Sequence, residues 1–164
     1  MSYRTPHWLI VAASLALSVV PAWAADHAHE HDAHGAATLK LDNGQKWKTD
    51  GPLRQGMANI KTAVQPHLLA THENRLKAAN YQTLAKRTNT QIAFMVENCK
   101  LAPEADAQLH LIIAELGAAA EAMAGKDKAQ SRQKGALQLV HALETYGEFF
   151  DHPGWTVSAM KHKH

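Results

Sequence analysis

Leu53, Met57, Ile60 and Val64 recur at spacings of four, three and four residues. That spacing follows the 3.6-residue turn of an α-helix and places all four side chains on one stripe. Leu76, Leu84, Ile92, Met95 and Cys99 mark a second face over residues 73–98, with Tyr81 and Thr88 between them. Leu109, Ile112, Ile113, Leu116, Ala120 and Met123 form a third over 104–124. A fourth, over 128–151, carries Ala136, Leu139, Val140, Leu143, Tyr146, Gly147 and Phe150. No segment shows the two-residue alternation of a half-buried strand. Four amphipathic stripes with short links predict an all-α fold, an up-down-up-down four-helix bundle over residues 50–155. A three-helix domain is the competing arrangement.

The boundaries have their own signals. Asp50 is a candidate N-cap, with Pro52 in the first turn that follows. Pro66 ends or bends the first helix, and 66–73 reads as a connection. Asn98 to Pro103 makes the next turn, Gly125 closes the third helix, and Pro153-Gly154 stops the fourth. Upstream, Asp42-Asn43-Gly44 is a turn signal inside a polar linker.

Residues 1–24 have the pattern of an export signal. Arg4 supplies a positive start, Trp8 to Val20 is almost wholly apolar, and Ala22-Trp23-Ala24 fits the small-x-small cleavage rule. The apolar run is shorter than the ~20 residues of a membrane span. The expected organisation is a signal peptide at 1–24, a flexible histidine-rich segment and linker at 25–49, the bundle, and a flexible tail at 156–164. A periplasmic location follows, with no stable membrane span. With 17 Lys+Arg against 15 Asp+Glu, the overall charge makes no case for nucleic acid.

Residues 25–35 pack four histidines, His27, His29, His31 and His34, among the carboxylates Asp26, Glu30 and Asp32. Such a segment has almost nothing to bury, so packing does not explain its composition. Imidazole and carboxylate are ligands for copper, zinc and nickel. Cleavage after Ala24 would also start the mature chain Ala25-Asp26-His27. Its α-amine, two backbone amides and the His27 imidazole then suit square-planar Cu(II) or Ni(II). The bland alternative is a solubilising tail with incidental metal affinity.

Cys99 is the only cysteine, so no internal disulfide forms. Met95 and Cys99 share a helix face, and an antiparallel hairpin would bring His110 towards them. Thioether, thiolate and imidazole together suit Cu(I). Helical spacing alone favours ordinary core packing for this pair. Glu97 to His110, with Asn98-Cys99-Lys100-Leu101 followed by Ala105-Asp106 and Leu109-His110, resembles a signature of small exported helical proteins. That resemblance implies a shared site around Cys99 and His110.

Leu53 to Ile60, with Met57 on the inner stripe, resembles the opening helix of the cytochrome b562 family of periplasmic bundles. His152 falls where the axial histidine of that family is expected. The resemblance implies haem b between Met57 and His152, in an electron carrier. Pro153-Gly154 departs from the family pattern, and no Cys-x-x-Cys-His motif is present for covalent haem. Neither Gly-x-Ser-x-Gly nor a Gly-rich phosphate loop occurs. Inward Glu-x-x-His pairs for a di-iron site are also lacking. The reading is therefore a non-enzymatic periplasmic transition-metal protein, copper first. Its partners would be the metal ion and another periplasmic metal or redox protein. Haem binding is the alternative.

Overall fold

Asp50 begins the first helix of the described residues as a true N-cap. Its backbone is extended, and its side chain accepts from the Leu53 amide. A cap of this kind satisfies one of the donors that a helix start leaves unpaired. The computed structural model describes residues 38–157. Its elements are a short strand β1 (Trp47–Lys48), then helices α1 (Gly51–Val64), α2 (Leu68–His72), α3 (Ala78–Asn98), α4 (Pro103–Ala124) and α5 (Arg132–Phe149). A short strand β2 (Phe150–Asp151) follows. The segments 1–24 and 25–37, with the signal-like run and the histidine tract, lie outside the described residues, as do 158–164.

The described residues are mostly helical, as the apolar spacing predicts. Leu53, Met57, Ile60 and Val64 are all buried, in one core with Leu84, Met95, Leu109, Ile112, Leu116, Leu139 and Leu143. Burying each such side chain is worth about 1.5–3 kcal/mol. Packing is heaviest between α4 and α5, then α3 and α4, then α1 and α3. Gly135 explains the closeness of α4 and α5, because a Cβ there would sit 2.9 Å from the Ala119 carbonyl oxygen.

Side-chain bonds define the two ends. At one, Thr49 Oγ1 donates to the Asp151 carbonyl, and the Lys100 amide donates to Asp50. The starts of α1 and α4 thus meet the ends of α3 and α5. At the other, Gln133 of α5 donates to the Thr71 carbonyl, and Arg132 donates to the Met123 carbonyl. There α2 and the start of α5 meet the end of α4. Among the described residues, no helix is long and apolar enough to cross a membrane.

Four details differ from expectation. The connection after α1 is partly helical: Gln65–His67 form a 3₁₀ turn that leads into α2. Pro66 sits at the start of that turn, where its missing N–H costs least. The next long helix begins at Ala78 rather than near residue 73, because Asn74 adopts φ 52° and turns the chain. The last helix begins at Arg132, where Ser131 accepts from the Lys134 amide.

The fourth difference concerns 38–49. Asn43 and Gly44 both have positive φ, and Asp42 and Gln45 exchange two backbone bonds of 2.8 Å. That is the tight hairpin turn Asn-Gly favours. Downstream of it, β1 pairs in parallel with β2, Trp47 against Phe150. Leu39 and Trp47 pack on the core, and Trp47 Nε1 donates to the Lys40 carbonyl. A two-residue strand is too short for alternation to reveal it.

Candidate functional site

Four sequence-predicted ligands, His27, His29, His31 and His34, lie outside the described residues. Met95 is fully buried, and its Sδ packs so closely on Gly56 that a Cβ there would stand 2.7 Å away. Cys99 ends α3 in an extended conformation and is half-buried. His110 stands exposed on α4. Its Nδ1 lies 2.9 Å from the Asp106 carbonyl oxygen and 3.4 Å from an Asp106 carboxylate oxygen. The carbonyl can only accept, so Nδ1 is the donor in this contact, and Nε2 is the nitrogen that a neutral ring would leave with a lone pair.

Asp50 and Asp106 converge on Cys99. Asp50 Oδ1 accepts from the Leu53 amide at 2.8 Å, and Oδ2 accepts from the Lys100 amide at 2.7 Å. The thiol is a third donor to the same carboxylate. Burial pushes the Cys99 pKa up to about 12, aided by the charge and hydrogen bond of Asp50 and the charge of Asp106. The side chain is therefore a neutral S–H near neutral pH, and a nucleophilic thiolate is suppressed. A bound cation would have to displace that proton.

Tyr146 lies next to this group and is wholly buried, and burial raises its pKa. Its hydroxyl is 3.0 Å from His152 Nδ1. The hydroxyl can donate to a bare Nδ1 or accept from an Nδ1–H, and the imidazole tautomer sets which. Burial lowers the His152 pKa, and the nearby Arg54 and Lys61 lower it further. The ring also packs against Trp155, with centroids 4.7 Å apart. Trp155 lies edge-on to Tyr146, donates to the Leu143 carbonyl and sits under the Lys61 ammonium. Met57, the other residue of the haem reading, is fully buried in the core.

No family profile, curated protein or solved structure matches this chain.

Among the described residues, no three His, Cys, Asp or Glu side chains group as a metal set. Cys99 and His110 instead share one neighbour, Asp106, which approaches the thiol electrostatically and touches the ring. His141 and Glu144 of α5 face one another at 4.0 Å on an exposed surface. The sequence marks Asp50 only as a cap. Its second partnership, with Lys100 and Cys99, joins residues fifty positions apart and has no local signal.

Proposed function

We propose that this is an exported, non-enzymatic protein that binds a transition metal, copper first, with zinc or nickel as further cargo. The observation that carries the reading is the density of imidazole and carboxylate in His27–His34, on a segment with almost no apolar residues to bury. These histidines collect the divalent ion. Cys99 and His110, on either side of Asp106, are the second station, and the Nδ1 contact of His110 with the Asp106 carbonyl leaves Nε2 as the nitrogen for a metal. Met95 contributes chiefly as core. The frame is an up-down-up-down four-helix bundle, supported by the meeting of alternate helix ends around Asp50 and around Gln133. Location in the periplasm is supported by the charged, apolar and small-x-small pattern of residues 4–24. Another periplasmic metal or redox protein is the expected recipient of the ion.

The haem reading asks more of the fold. Met57 would have to leave the core, and His152 would have to offer a ring nitrogen from a ring packed against Tyr146 and Trp155. Copper titration followed by calorimetry tests the proposal on the full chain, with the 25–35 deletion and Cys99→Ser as variants. The expected result is tight binding, greatly weakened by the deletion and further altered by Cys99→Ser. Equal binding by all three proteins would sink it.

A further inference from the structure

The near balance of charge along the sequence conceals a separation in space. The start of α3, the end of α4, the start of α5 and α2 share one end of the molecule, as the Gln133–Thr71 and Arg132–Met123 bonds require. Exposed Lys77, Lys126, Lys128 and Lys134 lie at or beside these helix ends, and exposed Lys86 and Arg87 follow on the third turn of α3. None of the six makes an ion pair among the described residues. A cleft of about 380 Å³ between α3 and α4 brings Lys86 and Lys126 together with Gln82 and Asn89. The acids of this end are few and partly committed. Glu73 pairs with Arg75, and Asp127 accepts from the Ala129 amide, leaving Glu121. At the opposite end the exposed acids Asp42, Glu97, Glu104, Glu148 and Asp151 are interspersed with exposed Lys40, Lys46, Lys48 and Lys100, so the charges there nearly cancel.

We propose that the basic end is a docking surface for an anionic phospholipid membrane. Three observations favour a lipid surface over other polyanions. The cations come from α3 and its N-cap, the α4–α5 connection and the start of α5, a spread that suits a broad field of negative headgroups. Five of the six are lysines, which act as point charges and lack the bidentate fork of arginine. The nearest aromatic, Tyr81, is buried and offers no face on which a base could stack. At the same end Leu69 on α2 is 55% exposed, an apolar group placed to enter the headgroup layer.

Vesicle co-sedimentation of the full chain tests this, with phosphatidylcholine vesicles compared against vesicles containing phosphatidylglycerol. Binding is expected only with phosphatidylglycerol, and it should fall as salt screens the charges. The triple variant Lys86→Glu, Lys126→Glu, Lys128→Glu should bind on the order of 100-fold more weakly, at the usual strength of a lysine near an anionic surface. The control triple Lys40→Glu, Lys48→Glu, Lys100→Glu makes the same change in net charge at the other end and should bind nearly as the parent does. Equal losses in the two triples would mean that net charge alone matters, and would overturn the proposal. So would binding to both vesicle types alike. Duplex DNA or an acidic peptide bound in the absence of phosphatidylglycerol binding would assign the surface to another partner class and overturn it as well.

Discussion

The Asp50 carboxylate reaches from the start of α1 to the Lys100 amide beyond the end of α3, at 2.7 Å, while its other oxygen caps α1. One side chain thus fixes a helix start and the α3–α4 turn. Asp50→Ala should cost about 2–3 kcal/mol, the sum expected for a lost cap and a lost charge-assisted bond. Asp50→Asn should cost less, because it keeps an acceptor for the cap. Urea unfolding measures both. A loss below about 0.5 kcal/mol in Asp50→Ala would show that neither bond holds the end together.

The thiol of Cys99 should react slowly. With a pKa of about 12, only about one molecule in 10,000 carries a thiolate at pH 8, and the thiolate is the reactive form. Iodoacetamide labelling of the folded protein should keep accelerating above pH 10, whereas the unfolded chain should level off near its ordinary value of 9.0. Asp50→Asn removes the negative charge that helps to raise the value and should speed labelling at pH 8. Because the folded value is the higher one, the associated stability is complete below about pH 9 and drains away as pH rises towards 12.

Gly147 leaves the space that Trp155 fills, since a Cβ there would stand 2.5 Å from the indole Cδ1. Gly147→Ala should therefore destabilise the protein by about 1–3 kcal/mol. In a Trp155→Ala background the same substitution should cost almost nothing or stabilise slightly, since alanine favours helix. A double-mutant cycle by thermal unfolding reads the coupling, and additive effects would separate the two residues.

His152 should make the protein acid-sensitive. Its folded pKa lies below the ordinary 6.5, through burial and then the charges of Arg54 and Lys61. The unfolded chain therefore takes up the proton first as pH falls, and stability decreases from about pH 6.5 downwards until the folded histidine also protonates. His152→Gln should flatten that part of the stability–pH curve. An unchanged slope between pH 7 and 5 would assign the sensitivity to other groups.

Local spacing made the helices legible. Leu53, Met57, Ile60 and Val64 announce α1, and Leu109, Ile112 and Leu116 announce α4, because neighbours three and four apart share a helix face whatever the rest of the chain does. Asn43-Gly44 announces its turn for a similar reason: two adjacent positive φ values favour those residue types. The site was less legible. Cys99 and His110 stand out in the sequence, yet Asp106 lies between them and Asp50 controls the thiol. The linker reading of 38–49 missed Trp47 opposite Phe150, since a strand pair of two residues has no periodicity to detect.

The sequence by itself determined that this chain forms amphipathic helices, where the long ones stop, and that a histidine-rich segment precedes them. Those properties follow from the chemistry of residues a few positions apart. Only the tertiary structure decided that Asp50 meets Cys99 and Lys100, that Tyr146 holds His152, and that lysines scattered from 77 to 134 share one end. Those relationships depend on which helix ends the folded core brings together, and no local pattern encodes them.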